Sequence, residues 1–479
     1  MRLEWILWGR ENHHSHESYP VSGYTHLMTP NTNESQHFDL LIRGGTAVLP
    51  DSVDAADIGI RNGKIVAVGT LSTDQADNIV DAGGLHVLPG IIDTQVHFRE
   101  PGFSQKEDLE SGTAAAALGG VTAIFEMPNT RPPTTCAESL QEKLSRAEGR
   151  AWVDHAFFMG PDTANMEKLS RLERLPGCAG VKMFMGASTG SLLICEDDQL
   201  EAVVAHGVRR MAVHSEHNER LVERKPIAVA AGRPHAHPEW RDVQTGVIST
   251  KRLLAVARRH NRRIHVLHVT TAEEMEILAE NRDLATVEVT PQHLTLAAPD
   301  CYDRLGTLAQ MNPPIREQRH QDALWKALQN GIVDLIGSDH APHTREEKAR
   351  PYPYSPSGLP GVQTMLPLML NHMNQGRLSL RKLVNLMSAN AARVYGVDGK
   401  GSIAIGMDAD FTLVDLKAER EITHDQMRSR VGWTPFHGMK VTGWPMATII
   451  RGQMVMQDGE LLGTPIGIPV RFVMPDIEN

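Results

Sequence analysis

The stretch Gly337-Ser338-Asp339-His340-Ala341-Pro342-His343 places a carboxylate and two imidazoles in one short turn. It follows Gly331-Ile332-Val333-Asp334-Leu335-Ile336, an apolar run that reads as a buried strand. Barrel and open α/β folds carry their chemistry just past such strand ends. Taken alone, the motif is equally a polar turn with an Asp cap. Other strand ends repeat the theme. One runs through Gln95-Val96-His97-Phe98-Arg99-Glu100-Pro101-Gly102, and the next into Met127-Pro128-Asn129-Thr130. Later strand candidates carry Lys182, His214, His265 and His268. A single His on an apolar strand is more often a hydrogen-bonded core residue, and a single Lys can snorkel. Imidazoles and a carboxylate converging on one mouth are instead the ligands a borderline divalent ion such as zinc prefers.

These residues need a scaffold that aligns strand ends. The middle of the chain alternates strand and helix. Strand candidates are Leu88 to Asp93, Val121 to Phe125, Val153 to Met159, Ala179 to Phe184, Met211 to His214, Ile264 to Val269, Ala285 to Val289 and Val333 to Ile336. Ser104 with Glu107, and Thr271 with Glu274, have the capping-box spacing that opens a helix. Eight strands with intervening helices over residues 89–397 read as a parallel (β/α)8 TIM barrel. An open doubly wound sheet is the alternative, and the lack of a G-x-G-x-x-G after the first strand counts against a dinucleotide fold. Short β-rich runs at 38–88 and 398–465 predict one small β-sandwich domain assembled from both ends of the chain. Residues 1–37, with His13-His14-Ser15-His16, read as a disordered tail in which Met28 is an alternative start, and residues 466–479 as a C-terminal tail.

The chain has 479 residues, 41% hydrophobic and 22% charged, with a formal charge of −10. That balance does not favour nucleic acid or an anionic membrane as a partner. No apolar run approaches the ~20 residues of a membrane span, and no secretion signal is read at the start. Four scattered cysteines without a C-x-x-C pair suit a reducing, cytoplasmic setting.

The motif at 337–343, followed by Lys348, together with 97–102, 127–130, Met311-Asn312-Pro313-Pro314 and Gly401 to Asp410, resembles the cyclic amidohydrolases of the amidohydrolase superfamily, and within them the dihydroorotases. The resemblance spans roughly residues 38 to 460. It implies reversible, metal-dependent hydrolysis of L-dihydroorotate to N-carbamoyl-L-aspartate in pyrimidine biosynthesis, with one or two Zn2+ ions per chain. It implies metal ligands at His97, Lys182 (as a carbamate), His214, His268 and Asp339, with Asp339 also the general base and acid. Arg99, Asn129 and His343 match positions that hold the substrate carboxylate. Asn312 and the loop Ser357-Gly358-Leu359-Pro360-Gly361 match contacts to the ring. The expected partner is the small-molecule substrate, and the expected assembly a homo-oligomer, most simply a dimer.

The roles agree with the residue types. Lys182 lies in the apolar run Gly180-Val181-Lys182-Met183-Phe184, where its charge is disfavoured. A neutral amine can add CO2. Arg99 offers a planar fork for a carboxylate, which a hydantoinase or dihydropyrimidinase substrate would not present there. One departure stands out. The family usually reads Asp-x-His-x-His on the first strand, whereas this chain reads Asp93-Thr94-Gln95-Val96-His97. Gln95 is a weaker candidate ligand than imidazole. The readings left open are an active dihydroorotase, a cyclic amidase of other specificity, and an inactive scaffold that partners an aspartate transcarbamoylase. Thr290-Pro291-Gln292-His293 departs similarly. His155, His217 and His265 are expected near the mouth without a ligand role. His235 and His237 are expected at a surface or lid. Residues 344–357 are a candidate lid, and Met365 to Met373 are expected in the core or at an interface.

Overall fold

In a computed structural model of the chain, residues 37–187 and 192–474 are described. The N-terminal stretch with its His cluster and Met28, and residues 475–479, lie outside them.

Eight strands form one parallel sheet in sequence order: Ile91–Val96, Val121–Glu126, Asp154–Met159, Cys178–Phe184, Met211–His214, Ile264–Val266, Ala285–Val289 and Leu335–Ile336. Every residue in them is buried, as expected of strands covered on both faces. The sheet curls until its ends meet. Val96 bridges His340, with a 2.7 Å bond from His97 N to His340 O. The eighth strand is only two residues long. Asp93 reinforces that seam by accepting from Ser338 N at 3.0 Å. This is the expected TIM barrel.

Two smaller sheets flank it. One has four strands, Lys64–Gly69, Asp57–Arg61, Phe38–Arg43 and Ala76–Asp81 in order across the sheet. The other has seven and joins both ends of the chain: Lys440–Ile450 and Phe411–Glu421 run beside His86–Pro89 and Thr46–Val48. Leu40, Ile42, Ile58 and Ile65 from one meet Val87, Phe411, Leu413 and Ile449 from the other in a shared apolar core, making the β-sandwich.

Local signals were read with mixed accuracy. The Ala-rich helix Leu109–Leu118 is capped by Asp108 with Ser111, not by Ser104 with Glu107. Glu107 is buried, and its carboxylate takes bonds from Ser111, His340, Ser429 and Arg430 N. Thr271 does cap Ala272–Ala279, accepting from Glu274 N at 3.0 Å. The Met-rich helix Met365–Asn374 is buried as expected. Among the described residues, no helix is long and apolar enough to cross a membrane.

Residues 466–472, set apart as a tail from the sequence, are bonded to the N-terminal end of the barrel. His155 N donates to Ile468 O at 3.1 Å and Val470 N to His155 O at 2.9 Å. Phe472 packs edge-on to Phe125. Beside them Lys400 is buried between Asp154 and Asp410. His155 therefore sits at the end opposite the mouth, because it is the second residue of its strand. His265 is also a core residue, bonded to Thr286 at 2.8 Å and facing Glu288 within the barrel.

Burial pushes the pKa of His155 down to about 4. The unfolded chain, with an ordinary imidazole near 6.5, then binds more protons between those values, so stability falls as pH drops through that window. Replacing His155 by Leu should remove up to ~3 kcal/mol of this acid sensitivity between pH 6.5 and 4. Urea unfolding across that range reads it, and an unchanged profile would clear His155 of the effect.

Candidate functional site

The C-terminal ends of the barrel strands open onto a narrow recess. Gln95, His97, Arg99, Lys182, His214, His268, Asn312, Asp339 and Gly358 all line it. These nine come from positions as far apart as 95 and 358 in the chain. Asn129 and His343 stand behind this lining and contact it through His97 and Arg99. Leu359 is buried beneath, where its carbonyl accepts from Ala341 N at 2.8 Å.

Three lining residues have backbone conformations that L-residues rarely adopt. Arg99, His268 and Asp339 have φ of 64°, 37° and 43°. Such strain clusters where a side chain must be aimed against local preference. Here each residue lies just past a strand end, and the turn swings its side chain inward. Gly358 has φ 143°, and a Cβ there would stand 2.3 Å from Ala341 O, so the loop can approach only without a side chain. Lys348 holds that loop from behind, donating to the carbonyls of Gln310, Pro356 and Gly358.

Hydrogen bonds set the polarity of the imidazoles. Burial lowers the pKa of His97, His214 and His268, so the rings stand neutral at pH 7. His97 Nδ1 lies 2.8 Å from Asn129 Oδ1, and its Nε2 lies 3.3 Å from Asp339 Oδ1. His214 Nε2 donates to Glu216 Oε2 at 2.8 Å, which leaves its Nδ1 lone pair toward His268 Nε2 at 3.1 Å. Burial raises the pKa of Glu216, but the Arg241 guanidinium and His214 outweigh it and hold the carboxyl well below the usual range. Gln95 Nε2 donates to Asp339 Oδ1 at 3.1 Å, and Gln95 Oε1 has no partner among the described residues. Lys182 is fully buried, with Nζ unpartnered among the described residues and 4.1 Å from the Phe184 ring centre. Burial drives its pKa well below the usual lysine value, against the pull of Asp339 and Glu288, which disfavours its charged form.

Arg99 is buried beside this cluster, and burial lowers its pKa only to about 10, so it keeps its charge. Its Nε makes a long 3.3 Å bond to Pro342 O. Its Nη2 lies 3.3 Å from His343 Nε2. Lys106 donates to His343 Nδ1 at 3.1 Å, so His343 Nε2 carries the hydrogen and donates to Ser357 O at 3.1 Å. The ring has no lone pair left for Arg99, whose fork is free to take an anion.

The sequence of the chain matches the amidohydrolase family over residues 86–455. The chain belongs to the amidohydrolase family. A dihydroorotase of Halobacterium salinarum is 37% identical over 434 residues, 89% of this chain and 98% of that one. A dihydroorotase of Methanosarcina mazei is 34% identical over 443 residues, 89% and 96% of the two chains. An L-hydantoinase of Paenarthrobacter aurescens is 32% identical over 447 residues, again 89% and 96%. Among solved structures, the L-hydantoinase (dihydropyrimidinase) from Arthrobacter aurescens superposes with a TM-score of 0.86 at 30% identity, covering 90% of this chain and 99% of that one.

The donor set of this amidohydrolase suits a divalent ion. Among the described residues no three His, Cys, Asp or Glu side chains stand in ready-made coordination. Two pairs do face one another, His97 with Asp339 and His214 with His268. In the first pair His97 Nε2 stands 3.3 Å from a carboxylate oxygen, and the neighbouring Lys182 amine and Gln95 Oε1 have no partner among the described residues. Electron pairs converging without a cation are the condition a metal relieves.

Several residues escaped the sequence reading. His237 is buried rather than at a surface or lid, and it bonds Asn312. Glu216, Arg241 and Lys106 act behind the lining, and only their proximity in space reveals them. His217 caps the helix Asn218–Ala231. The segment 344–357 carries its own capping box at Thr344 and Glu347 and buries Lys348.

Because Glu216 fixes the tautomer of His214, Glu216→Gln should weaken divalent-ion affinity about 10–100-fold. Gln95→His should tighten it by adding an imidazole where an amide oxygen stands unpartnered. Competition titration with a chromophoric chelator reads both, and unchanged affinity in either variant removes that residue from ion binding.

Proposed function

We propose that this amidohydrolase is a dihydroorotase, interconverting L-dihydroorotate and N-carbamoyl-L-aspartate in pyrimidine biosynthesis. The observation that carries this reading is Arg99: a buried, charged guanidinium on a strained turn, its Nε held by a long bond to Pro342 O, that lines the recess without an acidic partner bonded to it among the described residues. A ring substrate bearing a carboxylate satisfies it, and a neutral ring leaves it unpaired at a cost.

His97, His214, His268, Asp339 and a carbamylated Lys182 would hold Zn2+, with Gln95 a further candidate. A divalent ion bound there supplies an activated water at neutral pH and polarises the ring carbonyl. Arg99 binds the substrate carboxylate and fixes which ring amide carbon faces Asp339. Asp339 accepts the water proton and returns it to the ring nitrogen as the C–N bond breaks, so one water is added across one amide. Burial disfavours the charged form of Lys182, and its uncharged amine would add CO2, which turns a group without a partner among the described residues into a carboxylate-like ligand.

A second reading, a hydantoinase or dihydropyrimidinase, is favoured by the L-hydantoinase relative and by the fold match. Substrate comparison separates the two. The zinc-reconstituted protein should open L-dihydroorotate, and Arg99→Lys should lower kcat/KM for it about 10–100-fold, the worth of one charge-assisted pair. The same substitution should change dihydrouracil or hydantoin turnover by less than about 3-fold. Equal losses on both would overturn the role of Arg99. No dihydroorotate turnover alongside hydantoin turnover would favour the second reading. Loss of every activity in metal-loaded, folded protein would favour a scaffold.

A further inference from the structure

Asn312 lines the recess, yet an Asn side chain by itself does not decide whether it presents an oxygen or an NH2 group. The two orientations have nearly the same shape, and a turn about the last torsion exchanges them. What decides is the group behind it. His237 Nε2 lies 3.0 Å from Asn312 Oδ1 and 3.0 Å from Met311 O, and His237 Nδ1 lies 3.2 Å from the Tyr352 hydroxyl. A backbone carbonyl can only accept. Met311 O therefore requires the hydrogen on Nε2, and Nδ1 must then accept from Tyr352. The same Nε2–H confronts Asn312, which turns its oxygen back toward the ring and its NH2 group toward the recess.

His237 is fully buried in the short helix His237–Trp240, edge-on to both Trp240 and Tyr352. Burial pushes its pKa down to about 3, with Arg241 acting in the same direction, so this tautomer serves throughout the neutral range. Tyr352 belongs to the segment that also brings Ser357 and Gly358 to the recess. The contacts thus join two walls of the site.

We infer that His237 is a positioning residue for substrate selection: locked by Met311 O and Tyr352, it holds Asn312 as a hydrogen-bond donor that recognises a carbonyl oxygen of the ring. This rests on the reading of the recess as the seat of a cyclic amide. Nothing in the sequence motifs points to it, since His237 lies in a Pro-rich stretch far from every barrel strand.

The test combines a double-mutant cycle with a spectrum that needs no substrate. Kinetics use whichever of dihydroorotate, dihydrouracil and hydantoin the wild-type holoenzyme opens. His237→Leu should raise KM about 10-fold and leave kcat within about 3-fold. In an Asn312→Ala background it should change KM by less than about 2-fold. His237→Gln, which restores an N–H donor, should recover most of the loss. A merely structural role would give the same factor in both backgrounds and no rescue, and that result overturns the inference. So does an unchanged KM in His237→Leu. The tautomer is read from [15N]histidine-labelled wild type, with His237→Gln identifying the signal. An Nε2–H tautomer supports the relay, and an Nδ1–H tautomer overturns it whatever the kinetics. If the wild type opens none of the three rings, the proposed function falls, and the spectrum still decides the relay.

Discussion

The seam between the first and eighth barrel strands governs the site. The eighth strand contributes only Leu335 and Ile336 to the ladder, too little to hold a barrel closed alone. Closure depends on the Asp93 carboxylate, which accepts from Ser338 N and Gln95 N, and on the bridge from Val96 and His97 to His340. Burial raises the pKa of Asp93 to about 7, against the bonds from Ser338 and Gln95. This seam brings Gln95, His97 and Arg99 against Asp339 and His343. His340 is held in turn by Glu107 on one ring nitrogen and by Gly361 and Val362 on the other.

The second organising feature is the uneven distribution of hydrogens in the mouth. Glu216 takes a hydrogen from His214 and so aims an electron pair into the site, while Asn129 holds His97 from behind. Lys106 and Ser357 occupy both nitrogens of His343, and so release Arg99. His237 holds the oxygen of Asn312 away from the recess. In each case the residue that meets a ligand is ordinary, and the residue behind it decides whether a donor or an acceptor is presented. The low-dielectric surroundings make such choices costly to reverse.

Strain follows the same layout. Arg99, His268 and Asp339 have positive φ. These conformations persist because the barrel over-determines the backbone on either side.

The alternation of apolar strands with capped helices determined the barrel from sequence alone, because a strand buried on both faces must be apolar throughout. The β-rich ends implied the sandwich from short strand-like runs between turns, and its strands bury mainly one face, as in Lys440–Ile450. The residues at the mouth were legible in part, since strand ends in this architecture share one face: the strand pattern offered His97, Lys182, His214, His268 and Asp339 but His265 as well, and the family resemblance separated them. What the sequence could not determine depends on contacts between distant segments. Glu107 looked like a cap and is a buried anchor, because its partners come from positions 340 and 429. His155 looked like a mouth residue and lies at the other end, because strand register rather than residue type sets depth. His237 looked peripheral and sits against Asn312, because a hydrogen-bond partner 75 positions away leaves no local signal. The chain order thus determined which residues reach the mouth. Tertiary packing decided which atom of each residue faces inward, because tautomers and amide orientations are set by neighbours in space.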